Sequence, residues 1–140
     1  MSQPNQTVHR RGAVAVICQQ SRLLVIRRSQ HVRAPGMFCF PGGGIEAGET
    51  EAEALVRELR EELGAEVEPL SRLWHSVTSW GVELAWWQAS LLPDPPVIPN
   101  PAEVESCHWY TPAQLRSLPG LLSSNLDFLD ALDRGDFRLE

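Results

Sequence analysis

The chain has 140 residues, 43% of them apolar, which suits one domain with a substantial core. A formal net charge of −6 argues against a general nucleic-acid surface, which is normally basic, and no apolar run approaches the roughly 20 residues of a membrane span. Cys18, Cys39 and Cys107 are widely spaced and form no Cys-x-x-Cys pair, so they read as free thiols in a reducing compartment, not as a zinc site.

Residues 1–7 are polar and lack the basic and apolar regions of a secretory leader. Residues 1–8 read as a flexible tail on a single domain spanning 1–140, and the cytoplasm is the expected location. Residues 12–18 form a continuous apolar run, fit for a strand buried on both faces. Residues 22–28 read as a second strand, joined to the first through a hairpin at 19–21. A short strand at 37–40 leads into Pro-Gly-Gly-Gly at 41–44, which reads as a tight loop whose glycines let the backbone approach a ligand closely.

A helix then begins at Thr50, which with Glu53 makes a capping-box pattern. Ala52, Leu55, Val56, Leu59 and Leu63 give it one apolar stripe, and Gly64 ends it. Residues 66–77 and 82–92 alternate as strands around a turn at 79–81. Five prolines in residues 93–101 exclude a central strand or a helix and imply a stiff loop. A strand at 103–110 follows, then a short helix at 111–118 with Thr111 as cap and Pro112 at its first position. A last helix, capped by Ser123 or Ser124, runs to about Arg134. Strands on both sides of a central helix, with helices at the end, favour a mixed α/β sandwich.

The helix from Thr50 carries Glu58, Glu61 and Glu62 at i, i+3 and i+4. Like charges on adjacent turns repel, so the cluster calls for a compensating partner. Hard carboxylate oxygens suit Mg²⁺, which keeps some waters and bridges to substrate phosphates. The plainer alternative is a solvated acidic face.

Gly43, five residues, Glu49, seven residues, Arg57-Glu58-Leu59, one residue, Glu61-Glu62, one residue and Gly64 resemble the signature of the Nudix hydrolases. Only Ala65 departs from it, standing where the family usually has a large aliphatic residue. The resemblance implies an α/β/α sandwich with a mixed sheet, Mg²⁺ dependence with Mn²⁺ as a possible substitute, and hydrolysis of a phosphoanhydride. Glu58 and Glu62 are then the expected metal ligands, with Glu61 third and the backbone carbonyl of Gly42 completing the sphere. Arg57 is expected to pair with Glu49 and orient it. The family often adds a carboxylate from outside the motif. Glu103 and Glu105 are the choices, and Glu103, nearer the stiff proline loop, is preferred.

The expected partner is a small-molecule nucleotide, most simply a nucleoside triphosphate. A coenzyme A or nucleotide-sugar pyrophosphatase, or a non-catalytic nucleotide-binding module, is the alternative. No nucleic-acid or membrane partner is expected, and a homodimer is left open. Arg27, Arg28 and Arg33 are either phosphate contacts or solvated charges. His31, His75 and His108 each stand alone and read as surface or edge residues. Trp86 and Trp87 are neighbours on one strand, so one should face the core and the other outward. The outward one, or Trp80 in its turn, is placed to stack on a base or simply packs.

Overall fold

The computed structural model describes residues 10–140, so the readings of residues 1–8 lie outside the described residues. The first apolar run gives β1 (Arg10–Val16), beginning two residues earlier than expected, and Cys18 belongs to a separate short strand, β2 (Cys18–Gln19). Gln20 and Ser21 follow with φ of 52° and 65°, and β3 (Arg22–Arg28) returns. Two successive residues at positive φ make the tight hairpin turn whose twist matches its strands.

After β4 (Phe38–Cys39), the glycine run corrects the sequence reading. It is not a free loop but a strand, β5 (Gly42–Gly44), pairing antiparallel with Val14, Ala13 and Gly12 of β1. The pairing is close enough to demand glycine. Gly42 has φ of 148°, and a Cβ there would lie 2.2 Å from the Ala13 carbonyl oxygen.

Helix α1 (Glu51–Leu63) is capped as its sequence predicts: the Thr50 hydroxyl accepts from the Glu53 N–H, and the Glu53 carboxylate accepts from the Thr50 N–H. Gly64 closes it in the left-handed conformation. Strands β6 (Val67–Val77), β7 (Val82–Leu91) and β8 (Val104–Tyr110) follow, then α2 (Pro112–Ser117) and α3 (Ser123–Arg134). Leu122, with no side-chain bond, occupies the N-cap of α3, so neither serine expected there caps it.

One sheet runs β5-β1-β7-β6, with β1 and β7 parallel and its other pairs antiparallel. The second is built on β3, which pairs with β2, β4 and β8. Strand alternation sorts side chains into two cores. Ala13, Ala15, Leu24 and Ile26 pack with Ala54, Leu55, Leu59 and Leu63 of α1. Val16, Leu23, Val25 and Trp86 pack with Leu115 of α2 and Phe128 and Leu129 of α3. Each leucine so buried contributes roughly 1.5–3 kcal/mol, and together they fix α1 to one side of the strands. The result is an α/β/α sandwich.

Sandwiching also corrects the tryptophan expectation. Trp86 stacks on Phe128 at 4.8 Å in one core. Trp87 packs against the other core and donates its indole N–H to Glu51 at 2.8 Å. Neither indole points outward, because both faces of β7 are covered. No helix among the described residues is long and apolar enough to cross a membrane.

Candidate metal centre and cleft

Helix α1 lies across β5, and Arg57 binds the two together. Its Nε and Nη2 donate to the two oxygens of Glu49 at 2.6 and 2.9 Å, and Nη2 also donates to the Gly44 carbonyl at 2.8 Å. Its Nη1 donates to Glu58 at 2.9 Å and to Glu61 at 3.2 Å. The guanidinium thus ties the segment before the helix, the glycine strand and the helix carboxylates together. Its hydrogen bonds, with help from the Glu46 N–H, hold the Glu49 carboxyl down to about 2.

Glu58, Glu62 and Glu103 each bring a carboxylate oxygen within 4.8 Å of the other two. Glu62 is 7% exposed and accepts the Gly42 N–H at 3.0 Å. Burial pushes its carboxyl up to about 8 against the pull of that N–H, and the charges of Glu58 and Glu103 add to the rise. Burial likewise raises Glu58, with Arg57 opposing. The glycines of β5 make room for this. A Cβ on Gly43 would lie 2.3 Å from the Glu58 carboxyl group.

Three converging carboxylates, one of them buried with a single backbone donor among the described residues, are a hard-oxygen set that fits a divalent cation. Glu61 lies outside this group, with its side chain 48% exposed and turned to Arg57. Gly42 reaches the group through its N–H, which donates to Glu62. Glu103 falls in the turn just before β8, not on the strand as expected. Glu105 is a bulge residue that no residue of β3 opposes, and it pairs with Arg27 at 3.5 Å, away from the other carboxylates.

β5 also walls a cleft of about 560 Å³, whose lining does not include Glu58, Glu62 or Glu103. Arg28 and Arg33 line it, as do Phe40, Trp86, Leu122 and Asn125, with Trp80 at 58% exposure among its lining residues. Arg27 is not in its lining; it sits over the Phe38 ring. Cys39 lines the cleft as a buried thiol, pushed up to about 11 by burial. His75 meets Glu83 and His108 meets Ser106, both apart from the carboxylates. Asn125 went unnoticed in the sequence, where it is one polar residue in a helical segment. It is 4% exposed, accepts the Phe40 N–H at 2.9 Å and reaches the Ser124 hydroxyl at 3.1 Å. No local signal marks it, since the cleft forms only when α3 meets β4 and β1.

Fold and site together define a small layered α/β/α protein with a cluster of three carboxylates against a glycine strand. Residues 8–132 match the NUDIX domain, and the chain belongs to the Nudix family. Over 60 residues it is 54% identical to a putative 8-oxo-dGTP diphosphatase 2 of Mycobacterium tuberculosis, covering 43% of this chain and 40% of that one. Over 109 residues it is 30% identical to the NAD-capped RNA hydrolase NudC of Chromobacterium violaceum, covering 78% of this chain and 40% of that one. The matched segments span about two-fifths of these relatives' length. The fold is shared with the MutT protein of Methanosarcina mazei Go1, with a TM-score of 0.79 at 20% identity over 96% of this chain and 100% of the other.

Proposed function

We propose that the chain is a single-domain, cytoplasmic pyrophosphohydrolase of a nucleoside triphosphate or related nucleotide, dependent on Mg²⁺ with Mn²⁺ able to replace it. The observation that carries this reading is the convergence of Glu58, Glu62 and Glu103 behind the glycine strand that walls the cleft. A phosphoanhydride is inert because its negative oxygens repel a nucleophile, so catalysis consists mainly of neutralising charge and positioning groups. A divalent ion held there would supply that neutralisation and would acidify a nearby water.

Glu58, Glu62 and Glu103 would hold the ion, with Glu61 and the Gly42 carbonyl as further donors. Glu103, on a turn and less enclosed than Glu62, would also take the proton of an attacking water. Arg57 and Glu49 orient Glu58 and β5. Arg28 and Arg33 bring positive charge to the cleft for phosphate oxygens. Asn125, Phe40, Trp86 and Leu122 give the cleft an end that is apolar with one fixed amide, as a nucleobase requires. Relatives named for CTP, 8-oxo-dGTP and nucleoside triphosphates support the triphosphate reading.

The test is a panel of ribo- and deoxynucleoside triphosphates (oxidised ones included), dinucleotides, ADP-ribose and coenzyme A, assayed with Mg²⁺ and with chelator. Mg²⁺-dependent release of pyrophosphate and a monophosphate from a triphosphate is expected. Binding without hydrolysis across the panel would make the chain a nucleotide-sensing module instead.

A further inference from the structure

The proline-rich segment before β8 does more than connect strands. Helix α1 ends with backbone carbonyls that have no partner inside the helix. Ile98 N–H donates to the Leu63 carbonyl at 2.8 Å, and Asn100 N–H donates to the Glu62 carbonyl at 2.8 Å. The Asn100 side-chain amide donates to the Glu61 carbonyl at 3.2 Å. Pro99 and Pro101 have no N–H to offer, so Asn100 supplies both its donors from a backbone that its neighbours stiffen.

The same residue organises the turn that follows. Its carbonyl accepts the N–H of Glu103 at 2.9 Å and of Val104 at 2.7 Å, and its side-chain oxygen accepts the N–H of Ala102 at 3.1 Å. On the far side, Ser29 at the end of β3 donates its N–H to the Glu103 carbonyl at 3.1 Å and its hydroxyl to the Ala102 carbonyl at 3.0 Å. Glu103 is therefore held by its backbone between the helix that carries Glu58 and Glu62 and the strand that leads to Arg28.

We infer that Asn100 is a positioning residue: by joining the end of α1 to the turn at Glu103, it sets the distance between the loop carboxylate and the two helix carboxylates. This rests on the reading of those three groups as a cation site. An ordinary helix cap would use the same atoms of Asn100 on the helix side. It would have no reason to organise the backbone of the third carboxylate as well.

Mn²⁺ binding to the substrate-free protein, followed by calorimetry and by the electron-spin signal of free Mn²⁺, tests it. The variants are Asn100→Ala, Glu103→Gln, the two together, and Glu62→Gln. Asn100→Ala is expected to weaken Mn²⁺ about tenfold, the scale of residues that orient metal ligands. In the Glu103→Gln background it is expected to add nothing. Equal weakening in both backgrounds, or none in either, overturns the inference. If Glu62→Gln leaves Mn²⁺ binding unchanged, the cation site itself fails, a separate result. Should Asn100→Ala not fold, Ser29→Ala removes the side-chain half of the other tether, the bond to the Ala102 carbonyl, and keeps the backbone bond to Glu103. It is expected to show a weakening in the same direction and the same loss of effect without Glu103, and an unchanged Mn²⁺ affinity there counts against the inference.

Discussion

Glu103 and Glu105 stand two positions apart, and on a regular strand they would share a face. The backbone separates them: Glu103 lies in the turn held by Asn100, and Glu105 sits in a bulge against Arg27, with both side chains of that pair 43% exposed. An ion pair so exposed contributes little. Glu103→Gln is therefore expected to lower kcat ten- to a hundredfold with little change in KM, as for a group that acts mainly in the transition state. Glu105→Gln should stay within about twofold of wild type. Steady-state kinetics of both variants on one triphosphate decides, and a loss confined to Glu105→Gln would reverse the assignment. The sequence favoured Glu103 for its closeness to the stiff prolines. It held no sign of the bulge, which arises from pairing with β3.

At the scale of elements, β5 and α1 make the site between them, and adjacent glycines of β5 serve different ends. A Cβ on Gly43 meets the tip of the flexible Glu58 side chain, whereas one on Gly42 meets the Ala13 backbone at a positive φ. Gly43→Ala is expected to fold with a melting temperature near wild type and to lose Mg²⁺-dependent turnover by orders of magnitude. Gly42→Ala is expected to cost on the order of 3 kcal/mol of stability. Chemical denaturation beside activity assays separates the two, and equal effects on both readouts would refute the division.

Much of this layout was legible in the sequence. The boundaries of β3 follow from an apolar run between turn residues, and α1 starts and stops at its capping box and at Gly64. The glycine run misled because glycine carries no alternation, so a strand made by pairing with β1 looks like a loop. The cleft wall at Asn125 was invisible for a related reason: its neighbours come from segments 85 residues away.

At the scale of the whole molecule, the burial that shapes the site also makes the metal-free fold sensitive to alkali. The Glu62 carboxyl sits at about 8 in the fold against an ordinary 4.5. A raised carboxyl favours the protonated fold, so its contribution to stability is full below about 4.5 and is lost as pH rises through about 8. In chelator, the melting temperature should fall across that window. Mg²⁺ should reverse the fall, because a cation binds the ionised form. Glu62→Gln keeps an acceptor for the Gly42 N–H and removes the charge. It should melt higher than wild type in chelator at the alkaline end and show a shallower fall, the remainder belonging to the raised carboxyl of Glu58. Thermal melts from pH 4 to 9, with and without Mg²⁺, check this, and parallel curves for the two proteins would exclude Glu62 as the source.

The two ends of the cleft come from segments far apart in the chain. One part of the lining is β5, which also meets Glu58 and Glu62, while another is Leu122 and Asn125 at the start of α3, and Asn125 accepts the N–H of Phe40 just before β5. That bond couples the two segments: a change at Asn125 reaches the strand that holds Glu62 through Gly42. On the proposed function, a duplicated copy of this chain would change its preferred molecule most safely at lining residues of α3 such as Ser124, and would lose the placement of its carboxylates if it changed Asn125.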